Sequence, residues 1–267
     1  MKEFKKITTA KAQTMASSTR QLFYEVKQSD KLDALCRIID FQEELYTIIF
    51  CKTKVLVDEI AEKLLNRGYP AEGLHGDLSQ AQRNKILGKF RKRHYTILVA
   101  TDVAARGLDI SNLTHVINYS LPQDNESYVH RIGRTGRAGQ EGVAITLITS
   151  SEFYRINRLE KQLKTTIKKE RIPTVDMILS TKKDRIKLKV AQILQKSVNQ
   201  DYDDLRNQLL AEFDEKTIIN GLLHFTFSKE LDKKNYRQVE DLFSKSGHHS
   251  KRPGNRSPRF RKYKKKY

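Results

Sequence analysis

Residues Tyr128 to Arg137 read Tyr-Val-His-Arg-Ile-Gly-Arg-Thr-Gly-Arg, so Arg131, Arg134 and Arg137 recur at every third position. That spacing is close to one helical turn and lets the three side chains share a face. A guanidinium keeps its charge in any protein setting and matches phosphate oxygens two at a time. Gly133 and Gly136 interrupt the repeat, and each would weaken an ordinary helix by up to ~1 kcal/mol. The cost points to close backbone approach, or to a helix stop at Gly136, rather than to a solvated basic helix.

Such arginines need a scaffold, and the rest of the chain reads as one. Gln21–Val26, Tyr46–Cys51, Tyr95–Ala100, His115–Tyr119 and Val143–Ile148 are short apolar runs of strand type. Helical spacing appears between them. Leu32, Leu35, Ile38 and Ile39 mark a helix over 31–41, and further helices are expected from about Val55 to Asn66, Ser79 to Arg91 and Ser151 to Leu163. Thr149 and Glu152 form a capping box for the last of these. The alternation predicts a doubly wound parallel α/β sheet covered on both faces. Ligands of such sheets bind beyond the carboxyl ends of the strands. Polar clusters fall there: Lys52-Thr53-Lys54 after one strand and Thr101-Asp102 after another.

The chain has 267 residues and a formal charge of +19, which points to a polyanionic partner. No apolar run approaches transmembrane length, and Met1–Lys11 is too polar for a signal-peptide core. The expectation is therefore no membrane and a cytoplasmic location. Cys36 and Cys51 lack metal-ligand spacing and read as buried thiols, and no metal site is expected. Taken alone, Thr53 and Thr101 read as strand-end caps and His75 as a structural histidine.

Four stretches change that reading together. His130–Arg137 resembles motif VI of the DEAD-box RNA helicases, and Val99–Ile110 resembles motif V. Ile48–Lys54 is similar to motif IV, and Gln80-Ala81-Gln82-Arg83, preceded by His75-Gly76-Asp77, is similar to the family's Gln-x-x-Arg element. The order and spacing imply a RecA-like helicase domain 2. The resemblance implies that Arg134 and Arg137 act as arginine fingers on ATP, with Gly107 and Asp109 completing the nucleotide contacts. It implies RNA contacts from Thr53, Gly76, Asp77, Arg83, Thr101 and Arg106, and bracing of motif VI by His130 and Arg131. ATP with Mg2+ is the implied cofactor. The chain has no Gly-x-x-x-x-Gly-Lys-Ser/Thr loop and no Asp-Glu-Ala-Asp sequence, so the magnesium is expected on a first domain outside this chain. Val57-Asp58-Glu59-Ile60-Ala61 lies inside a predicted helix and is a decoy. Alone, the chain is expected to be inactive in hydrolysis, and a fragment of a longer protein.

The predicted order is a flexible lead-in (1–18), the RecA-like domain (19–167), a linker (168–180), a helical domain (181–246) and a basic disordered tail (247–267). Ile186, Val190, Ile193 and Leu194 form one helical stripe, and Leu205, Leu209, Leu210 and Phe213 another. Ile218–Phe227 and Tyr236–Phe243 add two apolar segments. This region is similar to the dimerisation domain of cold-shock-type bacterial DEAD-box helicases, which implies a homodimer through 181–246. His248–Tyr267 holds nine Lys or Arg, no acid, and Phe260, Tyr263 and Tyr267 among the charges, a composition suited to RNA. Two functions remain in view: part of an ATP-dependent RNA helicase, or a non-catalytic RNA-binding and dimerisation module.

Overall fold

A computed structural model of the chain describes residues 19–106, 108, 110–136, 141–195 and 200–243. The lead-in, the basic tail, and Gly107, Asp109 and Arg137 lie outside the described residues. In order, the elements are β1 (Thr19–Glu25), α1 (Lys31–Phe41), β2 (Thr47–Phe50), α2 (Lys54–Asn66), β3 (Ala71–Leu74) and α3 (Gln80–Arg91). They continue with β4 (Ile97–Ala100), α4 (Asp102–Ala105), β5 (His115–Asn118), α5 (Asn125–Ile132), β6 (Gly142–Ile148), α6 (Phe153–Leu163) and β7 (Lys168–Lys169). Three helices close the chain: α7 (Val175–Leu194), α8 (Asp203–Glu212) and α9 (Glu215–Phe227).

The seven strands form one parallel sheet in the order β3-β4-β2-β5-β6-β1-β7. Every strand therefore ends at the same edge, and the loops after β2, β3, β4 and β5 open side by side. Strand residues alternate between two apolar layers. Ile49, Val99, Ile117, Ile145 and Leu147 face α1 and α2. Ile48, Phe50, Leu98 and Val116 face α3 and α4, while Phe23, Ala144 and Ile148 face α5 and α6. Covering both faces explains why the strands read as continuous apolar runs.

Capping sets the helix starts. Thr53, Ser79, Thr101, Asp124 and Thr174 each accept a backbone N–H of the first turn, each worth typically ~1 kcal/mol. The box between Thr149 and Glu152 is present as expected. Strand β3 had no apolar run to betray it, because it reads Ala-Glu-Gly-Leu; Gly73 packs it against Val57 and Ala61 of α2.

Two expectations are corrected. The arginine repeat does not share one helix face. The helix stops at Gly133, not Gly136, because Thr135 leaves to pair with Leu113 as a single β-bridge. Gly136 instead has φ +66° and lies so close to Gly142 that a Cβ on Gly142 would collide with its backbone. The second correction concerns the helical end. Residues 168–180, expected as a linker, hold β7 and the first six residues of α7, whose Ile178, Leu179 and Ile186 are buried. Tyr236–Phe243 is extended chain that returns to the sheet domain, with Val239 against the α1 layer and Leu242 buried. By contrast, α8 and α9 bury no residue. Among the described residues no helix is long and apolar enough to cross a membrane.

Candidate phosphate-facing site

The sheet order reverses around β2: the chain passes to β3 and β4 on one side, then to β5 on the other. Crevices form at such reversals, and Arg131 spans this one. Its Nε and Nη2 donate to the two carboxylate oxygens of Asp102, just after β4, at 2.6 and 2.8 Å. Nη1 donates to Asn118 Oδ1 at the end of β5 (2.9 Å) and to the Ser120 carbonyl (2.7 Å). The guanidinium lies 4.9 Å from the centre of the Phe50 ring, at the end of β2. The Arg131 side chain is 3% exposed, so its charge is committed within the fold. Asn118 passes the network inward to Thr146 on β6.

Around this brace, Phe50, Asp102, Ala105, Arg106, Ser127, His130, Arg131 and Arg134 line one small cavity. Arg134 sits just past the end of α5, half-buried, with Nη1 on the Leu108 carbonyl at 2.8 Å. His130 is half-buried on the same wall, and Arg106 is exposed at the end of α4. The structure thus gathers Arg106, His130 and Arg134 of the expected set around the bracing arginine.

A second group lies along the carboxyl edge of β3, β4 and β2. Thr53 and Thr101 cap α2 and α4 through their hydroxyl oxygens. Capping uses an acceptor lone pair and leaves each hydroxyl proton to be donated outward. Gly76 is exposed, and a Cβ there would meet nothing within 4 Å. Neither φ nor internal packing requires that glycine. Asp77 pairs with Lys54 at 2.6 Å; the bond holds the Asp77 carboxyl below its ordinary range and lifts the Lys54 ammonium above its own. Arg83 points inward and donates to the Ala104 carbonyl at 3.0 Å, tying α3 to α4. His75 bridges Asp58 and the Asp77 amide, a structural role.

Sequence reasoning placed Lys54 and Asp102 in the polar clusters beyond the strands without giving either a role, and it overlooked Asn118. Asp102 and Lys54 were visible as charged residues beside capping threonines. Their partners lie 29 and 23 residues away, a pairing that only the topology reveals.

The chain is similar to known proteins in sequence and in fold. The family profile described as "Helicase conserved C-terminal domain" matches residues 30–139. The chain is 44% identical over 218 residues to a DEAD-box ATP-dependent RNA helicase, CshA, of Geobacillus kaustophilus, covering 81% of this chain and 47% of that protein. It spans about half the length of the curated relatives it matches. Among solved structures, the C-terminal domain of the DEAD-box protein Dbp5 aligns with 32% identity and a TM-score of 0.57, covering 62% of this chain and 98% of that one. Dbp5 of S. cerevisiae bound to RNA and ADP BeF3 aligns with 32% identity and a TM-score of 0.56, over 62% of this chain and 45% of that one.

Whether Thr53 faces a phosphate as well as capping α2 is testable. Thr53→Ala is expected to cost ~1 kcal/mol of stability through the lost cap, and Thr53→Asp to restore it. Both should weaken binding of a single-stranded oligonucleotide, Asp more than Ala, since a carboxylate repels phosphate. Urea unfolding and fluorescence anisotropy measure the two effects; normal oligonucleotide affinity for Thr53→Asp would confine Thr53 to capping.

Proposed function

We infer that this chain, which belongs to the DEAD-box family and carries its C-terminal helicase domain, supplies the arginine side of an ATP-dependent RNA helicase. The observation that carries the reading is the Arg131 brace. It holds the start of motif VI between the ends of β4 and β5 and so fixes the wall on which Arg134 stands.

The Arg134 guanidinium on this wall suits a phosphate of ATP, while Arg106 is assigned to RNA and His130 to bracing of the motif. Arg134 and Arg137 are assigned to its phosphates, and Gly107 and Asp109 to the rest of the nucleotide. The magnesium that accompanies ATP is assigned to the phosphate-loop domain of the complete enzyme. RNA is assigned to the other group: Thr53, Gly76, Thr101 and Lys54 present hydroxyl, backbone and ammonium donors along one edge. Such donors track a phosphate backbone without reading its bases. Arg83 and Asp77 act there through neighbours, Arg83 by holding α4 and Asp77 by orienting Lys54. Closure of the two domains over ATP would seat the arginines and, in the same movement, bend the bound strand. A cytoplasmic setting fits Cys36 and Cys51, which are free and buried; burial pushes the Cys51 thiol up to about 12.

Arg134→Ala and Arg137→Ala, placed in the complete enzyme, are each expected to lower RNA-stimulated ATP hydrolysis by ~10³–10⁵, the typical contribution of an arginine finger. RNA affinity of the chain itself should stay within about twofold, because neither residue belongs to the RNA group. Near-normal hydrolysis in both mutants contradicts the assignment.

A second reading, of the chain as an RNA-binding and dimerisation module, draws on one observation. Leu205, Leu210, Phe213, Ile219, Leu222 and Phe225 on α8 and α9 are all exposed, Phe225 at 87%. Exposed apolar side chains gathered on two consecutive helices mark association, and a two-fold pairing would cover them by using one surface twice. Sedimentation equilibrium at micromolar concentration should give about twice 31.0 kDa. A mass of 31.0 kDa would leave the α8–α9 surface to another partner.

A further inference from the structure

From Leu78 to Thr101 the chain holds six Lys or Arg and no Asp or Glu. Five of them fall between Lys85 and Arg93, on the later part of α3 and the turn that follows it. There Lys85, Gly88, Lys89, Lys92, His94 and Tyr95 line an open groove of about 630 Å³. Lys85, Lys89 and Lys92 are exposed, and among the described residues none of the three forms an ion pair. Lys85 and Lys89 lie four positions apart and Lys89 and Lys92 three apart, spacings at which like charges on one helix face repel.

Helix stability does not explain this arrangement. The helix dipole favours cations only in the last turn, and Lys85 lies before it. Gly88 adds to the cost, since glycine weakens a helix interior more than any residue but proline. A Cβ on Gly88 would meet nothing within 4 Å, so packing does not ask for it. Its absence leaves the groove floor bare between three lysines, the form that close approach of a ligand requires. The end of the groove is held in place. The His94 amide donates to the Lys89 carbonyl at 3.0 Å and the Arg93 amide to the Phe90 carbonyl at 2.9 Å, closing α3 with Arg93 at φ +60°. Glycine is the usual residue at such a turn. Arg93 takes it with its guanidinium 4.2 Å from the centre of the Tyr46 ring, which stacks on Phe90 at 4.4 Å. Lys89 Nζ lies 5.6 Å from the centre of the Tyr95 ring. Cations interleaved with aromatic rings suit a nucleic-acid strand better than an acidic peptide.

We propose that this groove is a second RNA subsite, which takes the phosphates of the strand after it leaves the carboxyl edge of the sheet. The proposal rests on the RNA reading made above. Strand β3 is the outermost of the sheet, and α3 starts just after Gly76 at its end. A strand crossing Thr53, Thr101 and Gly76 in turn therefore leaves the sheet where α3 begins. The 12 residues of α3 carry it ~18 Å to the groove, roughly five nucleotide steps of ~3.4 Å.

The test titrates the full chain with two single-stranded RNAs across salt concentrations. One of about six nucleotides covers the edge from β2 to β3, two strand spacings or ~10 Å, and one of about 20 nucleotides also reaches the groove. Lys85→Gln, Lys89→Gln and Lys92→Gln are combined in one variant. Lys183→Gln, Lys187→Gln and Lys189→Gln, exposed on α7, remove the same charge elsewhere. Gly88→Gln fills the groove floor at constant charge and should raise stability in urea unfolding, because glutamine is the better helix former. The groove triple should lower affinity for the long strand about tenfold and flatten its salt slope by about 2, at ~0.7 per lost contact. Gly88→Gln should weaken the long strand severalfold, against its gain in stability. Both groove variants should bind the short strand normally, and the α7 triple should bind both strands within about twofold of the parent chain. Equal losses in the groove and α7 triples would reduce the effect to net charge and refute a subsite. Normal long-strand binding by both groove variants would also refute it and leave the groove to an acidic protein partner. Thr53→Asp reports the edge separately: if it binds both strands normally while the groove variants lose the long one, the edge assignment falls and the groove stands.

Discussion

The carboxylate of Asp102 and the guanidinium of Arg131 meet in a two-point pair between the ends of β4 and β5, above Phe50 of β2. Three strands that are distant in sequence converge there, and the pair fixes their loops relative to one another. Burying an arginine is unfavourable unless its donors are used, and here Nε, Nη1 and Nη2 each have a partner. The consequence is a division of labour within one motif. Arg131 spends its charge inside the fold, and Arg134, three residues on, stands at the cavity the brace has shaped.

The remaining site follows the same economy. Thr53 and Thr101 start helices with one lone pair each and keep a proton to offer outward. Gly76 contributes a bare backbone at a place where internal packing demands none. Asp77 and Lys54 hold each other at the rim, where solvent screening leaves the pair little stabilising value but still orients the ammonium. The carboxyl-terminal part is organised by a second acid. Asp40 receives Lys182 and Tyr236 on its carboxylate and Arg185 on its carbonyl, so α7 and the returning segment are gripped at one corner. Among the described residues, the end of α7 is exposed and α8 and α9 bury no residue.

Much of this was legible in the sequence because parallel strands buried on both faces must be apolar throughout. Runs such as Thr47–Phe50 and Ile97–Ala100 announce themselves, and Ser79 and Thr149 announce the helices they cap. Strand β3 was illegible because Glu72 and Gly73 interrupt any apolar run, Gly73 being small where β3 meets Val57 and Ala61 of α2. The arginine triplet misled for a related reason. Spacing by three suggests a helix face, but Thr135 is drawn into the β-bridge with Leu113 and ends the helix at Gly133. The motif residues were identified through their resemblance, whereas their partners were not. Asp102, Asn118 and Lys54 acquire meaning only when the strand order brings them beside Arg131 and Asp77. The returning segment was hidden because Tyr236–Phe243 has the composition of an amphipathic segment and no periodicity to say what covers it.

The central claim is that Arg131 works as a brace through Asp102. A double-mutant cycle with Asp102→Ala and Arg131→Ala, read by urea unfolding of the full chain, tests it most directly. Each single substitution leaves the other charge without its partner in a confined site and should cost ~3–5 kcal/mol. The double mutant should cost no more than the worse single one, giving a coupling energy at least as large as the smaller single loss, ~3 kcal/mol or more. Additive losses, with no coupling between the two positions, would contradict the account.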